Sequence, residues 1–289
     1  MTIAGSDSGA GAGLQADLKT FAALGVFGTT VVTAVTAQNT SEVLGVEPLD
    51  SGFVDLQITA VLSDLPVAAV KTGMLATVAN VQAVARRAAA GELPNLVVDP
   101  VLVASSGRPL LGEGGVQAYV DLLIPHAEVI TPNIREAALL TAAPVDDTES
   151  MISAGRALCD RGARAVIVTG GHIPGDEVSD VVVGPTQTVV LNAARVATSN
   201  DHGTGCTLSA ALTALLARGE PLLEAISQAK SFVTTAVRGS SSWHLGKGHG
   251  PLDHFGWNAH GPARRAWASE RADREGRATE GSESGDREG

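Results

Sequence analysis

The stretch "AAVKTGMLATVANVQAVARRAAAGELPNLVVDPVL", residues 68–102, decides the fold. Its ends, 68–75 and 96–102, are short runs of small and branched apolar residues. Between them, 78–90 repeats apolar residues at helical spacing. This predicts a strand, a helix and a strand. Strands joined through a helix run parallel, and runs this apolar suit a sheet covered on both faces.

The same alternation extends in both directions. Upstream, "VVTAVTA" (31–37) reads as a strand. "SGFVDLQITAVLSDL" (51–65) reads as a helix with Val54, Ile58, Val61, Leu62 and Leu65 on one face. Downstream come "VQAYVDLLIP" (116–125), "EVITPN" (128–133), "MISAGRALCDRG" (151–162) and "AVIVTGG" (165–171). The rhythm breaks at 178–196, where an antiparallel hairpin is expected to turn at Gly184-Pro185. Helices over Cys206–Arg218 and near Leu222–Val237 close the body. The expectation is an α/β protein: three α/β/α layers with a central, mostly parallel sheet flanked by helices.

The chain ends differently from its body. In the tail, 259–289, six Arg face seven Asp or Glu among Gly and Ser, with almost no aliphatic residues. Such a segment has too little apolar surface to offset its ordering entropy and is expected to be disordered. That leaves 1–258 as one domain.

The formal net charge of −11 argues against nucleic acid as a partner, because phosphate backbones are gripped by clustered Lys and Arg. No apolar run approaches the roughly twenty residues of a membrane helix, and no secretory signal is present. Two cysteines in 289 residues, Cys159 and Cys206, do not make a disulfide framework and fit a reducing cytoplasm.

In open α/β sheets, ligands bind beyond the carboxyl ends of the strands. The polar residues expected there are Asp7, Gln38-Asn39, Lys71–Met74, Asp99-Pro100, Thr131–Asn133 and Thr169–His172. Two glycine-rich segments compete for a phosphate. In 5–20, Gly11-x-Gly13-x-x-Ala16 matches a dinucleotide fingerprint only loosely. Its strand is short, and no acidic residue follows about twenty positions on. None of the four lysines completes a phosphate-loop motif. The second segment, "NDHGTGCTLSAALTALLARG" (200–219), is the better site. Gly203-Thr204-Gly205-Cys206 stands at the mouth of a helix, whose unpaired N–H groups attract anions. A helix N-terminus also favours a thiolate, which makes Cys206 a candidate base or nucleophile.

Taken in order, "TIAGSDSGAGAGLQADLKTFAALG", "TAVTAQNT", "KTGML", "VVDPV", "ITPNIREA", "GGH", "HGTGCTLSAA" and "GHGPLDHF" form a specific pattern. From Thr2 to about Phe255 the chain resembles the hydroxymethylpyrimidine/phosphomethylpyrimidine kinases of thiamine synthesis, in the ribokinase-like superfamily. The resemblance implies ATP-dependent phosphorylation of 4-amino-5-hydroxymethyl-2-methylpyrimidine and then of its monophosphate. It implies a pyrimidine pocket of Gly5, Asp17, Gln38, Met74 and Val101. It implies Mg²⁺ held by Asp99 and Glu136, largely through water. Nucleotide contacts would come from Asn133, Thr169, Thr204 and Lys230. Gly203, Thr204 and Gly205 would form the anion hole, with Cys206 standing where related sugar kinases carry an aspartate base. The family commonly dimerises, so a homodimer is expected.

The sequence departs from the family twice. Thr169 occupies the place of a lysine that reaches the ATP phosphates. The first strand, Met1-Thr2-Ile3-Ala4, lacks several residues usual in the family, which points to a start further upstream. Two other readings stand beside the pyrimidine kinase: a pyridoxal or pyridoxine kinase of the same superfamily, and a pyrimidine- or nucleotide-binding protein without turnover.

Overall fold

The computed structural model describes residues 1–103 and 110–258. The expected tail, 259–289, lies outside the described residues.

Among the described residues, ten strands and eight α-helices follow one another in the expected rhythm. They are β1 (Thr2–Ala4), α1 (Gly13–Ala23), β2 (Thr30–Val32), β3 (Ala34–Gln38), β4 (Val43–Pro48), α2 (Ser51–Leu62), β5 (Lys71–Thr72) and α3 (Val78–Ala89). Next come β6 (Val97–Val98), α4 (Gly115–Ala118), β7 (Val129–Ile130), α5 (Ile134–Thr141), α6 (Thr148–Cys159) and β8 (Ala165–Val168). Last are β9 (Glu177–Val183), β10 (Thr188–Ala194), α7 (Thr204–Ala217) and α8 (Leu222–Ser240).

Eight strands make the main sheet in the order β10-β9-β8-β7-β6-β5-β1-β2. From β2 to β8 every pairing is parallel, and β9 and β10 add the antiparallel edge that the 178–196 pattern predicts. Successive strand residues point to opposite faces. Val98, Ile130, Val166 and Val168 join a core with residues of α2, α3, α5 and α6. Val97, Val129, Ala165 and Ile167 join a second core with α7 and α8. Apolar residues on both faces are what a sheet between two helical layers requires.

Local signals set the helix starts. Asp50 caps α2 by accepting from the Gly52 N–H, and Thr77 caps α3 by accepting from the Asn80 N–H. In α7 every residue from Thr207 to Leu216 is buried, so it is an internal helix between sheet, α1 and α8 rather than an amphipathic surface one.

The apolar run 31–37 is not one strand. After β2 the chain leaves the main sheet at Thr33, and β3 pairs antiparallel with β4 as a separate two-stranded sheet. β4 contains Gly45 and ends at Pro48, so it lacks the apolar signature by which strands are read. α1 and α5 were equally silent in the rhythm, the first because it opens inside a glycine-rich loop.

Candidate active site

The carboxyl ends of β1, β5, β6, β7 and β8 open toward one edge of the sheet, where the glycine-rich loop, the end of β3 and the start of α7 converge. Gly5 leaves β1 with its N–H donating to the Met74 carbonyl at 3.1 Å. A Cβ on Gly5 would stand 2.3 Å from Met74 Cε, so glycine is required for Met74 to lie there. Gly203 meets the glycine-rich loop just as closely. Its φ is +86°, and a Cβ would fall 1.9 Å from the Gly11 carbonyl oxygen. Gly205, by contrast, faces open space, with nothing within 4 Å of an added Cβ. The first turn of α7 is thus open at Gly205, while the Thr204 N–H donates to the Asp201 carbonyl at 3.2 Å.

Beneath that turn lies a knot of buried charge. Lys71, on β5, is wholly buried and sits 3.0 Å from Asp17 and 3.8 Å from Asp99. Burial alone would lower the Lys71 pKa, but Asp17, Cys206 and Asp99 outweigh it and hold the ammonium charged. Asp17 is wholly buried on α1, where the Thr2 hydroxyl donates to it at 2.7 Å. It holds Lys71 in place, and a pyrimidine would reach its carboxylate only by displacing that arrangement. Lys71 was visible in the sequence only as part of a polar strand end. Its role as the cation between two carboxylates depends on α1 folding over β5.

Asp99 accepts from the Ser209 hydroxyl at 2.9 Å, which ties β6 to the second turn of α7. Val101 follows on the same exit, its N–H donating to the Asp99 carbonyl at 2.9 Å. Glu136 is buried at the start of α5 and completes a capping box with Asn133. Burial first, and the Asp99 charge second, raise the Glu136 pKa to about 8. Asp99 is raised too, by burial against the pull of Lys71. Two buried carboxylates, one raised further by the other's charge, fit a hard divalent cation, whose charge would favour the ionised form of both. The hydroxyls of Thr72 and Thr131, on the strands either side of β6, are buried without a hydrogen-bond partner among the described residues.

Cys206 departs from the expected thiolate. Burial pushes its thiol up to about 12; Lys71 and the Gly13 N–H pull it down, while Asp99 and Asp17 add to the rise. The helix terminus is outweighed first by burial and then by carboxylates that the sequence places more than a hundred residues away.

On the nucleotide side the candidates are spread out. The Asn133 side chain is occupied as the cap of α5, accepting from Arg135 and Glu136 N–H groups at 2.9 and 3.0 Å. Thr169 ends β8 and bridges to Asn133, with its N–H donating to the Pro132 carbonyl at 2.9 Å. Lys230, on α8, is paired with Asp180 at 2.6 Å. The same Asp180 accepts from the Gly170 N–H at 3.0 Å, which links Lys230 to the loop after β8. Thr204 is turned back on its own turn, its hydroxyl donating to the Asp201 carbonyl at 2.5 Å.

A mostly parallel three-layer sheet with a glycine-bounded helix start above buried carboxylates defines the ribokinase-like class of small-molecule kinases. Solved structures of that class superpose on the chain. An ADP complex of Bacillus subtilis pyridoxal kinase matches with a TM-score of 0.82 and 37% identity, over 89% of this chain and 97% of that one. Phosphomethylpyrimidine kinase from Clostridium difficile 630 matches with a TM-score of 0.73 and 39% identity, over 82% and 97%. The chain belongs to the phosphomethylpyrimidine kinase family, whose model matches residues 7–253. The hydroxymethylpyrimidine/phosphomethylpyrimidine kinase of Rhizobium meliloti is 48% identical over 88% of this chain and 96% of its own length. That of Haemophilus influenzae is 45% identical over 89% and 97%.

Proposed function

We propose that this protein transfers the γ-phosphoryl group of ATP to 4-amino-5-hydroxymethyl-2-methylpyrimidine, and a second one to the resulting monophosphate, for thiamine diphosphate synthesis. The observation that carries the reading is the first turn of α7. That turn is open at Gly205, is tied to Asp99 through Ser209, and sets Cys206 within the field of Lys71, Asp99 and Asp17. Phosphoryl transfer needs in-line placement and charge neutralisation more than covalent chemistry, and this corner supplies both.

Gly203 and Gly205, and Thr204 once its N–H leaves the Asp201 carbonyl, offer backbone N–H groups to the charge that develops on the transferred phosphoryl group. Asp99 and Glu136 are the residues that would hold Mg²⁺, which supplies neutralisation of the phosphate charge when bound. Lys71 holds the Asp99 side of the cluster charged. Cys206 takes the proton of the substrate CH₂OH in the first step only as its thiolate, a minor form near neutral pH because burial pushes the thiol up to about 12. In the second step the attacking atom is a phosphate oxygen and no such base is needed. Gly5, Gln38, Met74 and Val101 surround the ring, with Asp17 behind them, and Asn133, Thr169, Thr204 and Lys230 lie toward the nucleotide. The domain spans 1–258 and pairs into a homodimer in the cytoplasm. Among the described residues no helix is long and apolar enough to cross a membrane.

Similarity to pyridoxal kinases favours a second reading, phosphorylation of pyridoxal on the same scaffold. ADP release in Mg·ATP separates the two. Hydroxymethylpyrimidine, its monophosphate and pyridoxal are supplied in turn, and products are identified by mass. Conversion of both pyrimidines to the diphosphate supports the two-step kinase. Turnover of pyridoxal alone replaces it with the second reading, and binding without turnover makes the protein a binder.

A further inference from the structure

Three segments distant in sequence meet at one ring nitrogen. Asp7 Oδ2 accepts from the Gly11 and Ala12 N–H groups at 3.0 and 2.8 Å and lies 2.9 Å from His202 Nε2. The amide nitrogen of Gln38 lies 3.3 Å from the same Nε2. One imidazole nitrogen either donates or accepts, and a carboxylate only accepts. At 2.9 Å a bare lone pair on Nε2 would face the carboxylate oxygen, so Nε2 carries the hydrogen. Burial pushes the Asp7 pKa up, but hydrogen bonds from His202 and from the Ala12 and Gly9 N–H groups outweigh it and keep the carboxylate ionised.

A nitrogen that donates to Asp7 cannot also accept from the Gln38 amide. The compatible arrangement turns the carboxamide about its last bond, which exchanges atoms of nearly the same size. Oε1 then shares the His202 N–H with Asp7 in a three-centre hydrogen bond, and the NH₂ group takes the opposite end. The Gln38 backbone is itself fixed, its N–H donating to Ser8 Oγ at 2.7 Å. Among the described residues the far end of the carboxamide has no hydrogen-bond partner, so it is free for a ligand.

We propose that Asp7 and His202 set the direction of the Gln38 carboxamide, so that the pocket offers an N–H to an acceptor nitrogen of a neutral heteroaromatic ring. The proposal rests on the assignment of this corner as the ring pocket. A ring protonated at that nitrogen would bring N–H against N–H and be rejected, which favours a neutral pyrimidine over a pyridinium. His202 is thus a positioning residue: it acts on the ring through Gln38.

Calorimetric titration of the full chain with hydroxymethylpyrimidine, in the absence of ATP, tests this. Gln38→Glu keeps the shape and the acceptor facing His202 but replaces the outward N–H with a charged acceptor oxygen. It should weaken pyrimidine binding by roughly ten- to a hundredfold while ATP affinity stays within about threefold. Binding within about threefold of the parent protein overturns the proposal, because an outward-facing oxygen would survive that change. His202→Ala frees the amide and should weaken binding several-fold, and His202→Gln, which keeps a donor for Asp7, should recover part of it. Equal affinities for both His202 variants and the parent also overturn it. Nitrogen-15 NMR of the histidines, with His202 assigned by its loss in His202→Ala, should show the Nε2–H tautomer. The Nδ1–H tautomer would refute the relay. Should the parent protein bind no pyrimidine, the functional reading fails, and the tautomer still decides the relay on its own.

Discussion

The two ends of the site are built differently. At the pyrimidine end the candidate side chains hold one another: Asp17 with Lys71, Lys71 with Asp99, Asp99 with Ser209, Asp7 with His202. At the nucleotide end each holds its own scaffold: Asn133 caps α5, Thr204 bends back on its turn, and Lys230 pairs with Asp180. A network of buried charges propagates a substitution to its neighbours, whereas separate scaffold contacts confine it. The first end should therefore respond steeply and non-additively to change, the second gently.

The largest effect is expected from Asp99→Asn. It removes one acidic partner of the proposed metal site and leaves Lys71 with one carboxylate partner instead of two, so kcat should fall about a thousandfold at saturating Mg·ATP. A loss under tenfold would take Asp99 out of the metal site. Gly203→Ala comes next. The added methyl group meets the Gly11 carbonyl at a backbone angle that L residues avoid, which should displace the anion hole and reduce kcat about a hundredfold. An active Gly203→Ala enzyme would show that the close approach of loop and helix is dispensable.

Cys206→Ala sharpens the contrast within the first end. Alcohol phosphorylation should drop by roughly ten- to a hundredfold and phosphate phosphorylation by less than about threefold. Parallel losses in the two half-reactions would remove Cys206 as the base. Because the thiol is pushed up to about 12, the first half-reaction of the parent enzyme should also quicken as pH rises from 7 to 9, relative to the second.

At the nucleotide end, Thr169→Lys should raise kcat/KM for ATP by a few-fold, as it adds a cation just beyond the end of β8. No gain would mean that the cations already near the loop after β8, Arg195 and Lys230, serve in its place. A gain of a hundredfold would break the contrast, since that end would then be as sensitive as the other.

The smallest effect concerns stability. Glu136 titrates near 8 in the fold against an ordinary 4.5, so between those values the folded state keeps a proton that the unfolded chain has released. Stability from this group is therefore lost as pH rises through that window. Glu136→Gln should melt a few degrees above the parent protein at pH 8 and nearly with it at pH 5, in metal-free buffer. A Glu136→Gln protein that melts below the parent at pH 8 would show that the carboxylate is already compensated.

Much of this was legible before folding. The strand-and-helix rhythm predicted the parallel sheet and its antiparallel edge because each element carries its own periodicity. The motif pattern pointed to the family, and the glycines at 203 and 205 marked the helix start. β4 escaped because Gly45 and Pro48 break its pattern, and α5 because it runs only eight residues, about two turns. Lys71 was read as one more polar residue at a strand end, and the thiolate expected of Cys206 met burial and two carboxylates that only the fold brings near.

What the sequence determined by itself is whatever depends on neighbours along the chain: periodicity, caps, glycine positions and the order of motifs. Tertiary structure alone decided how those residues are charged and aimed. The Asp17–Lys71–Asp99 cluster and the Asp7–His202–Gln38 relay join elements up to 195 residues apart. Burial sets the strength of every charge in them.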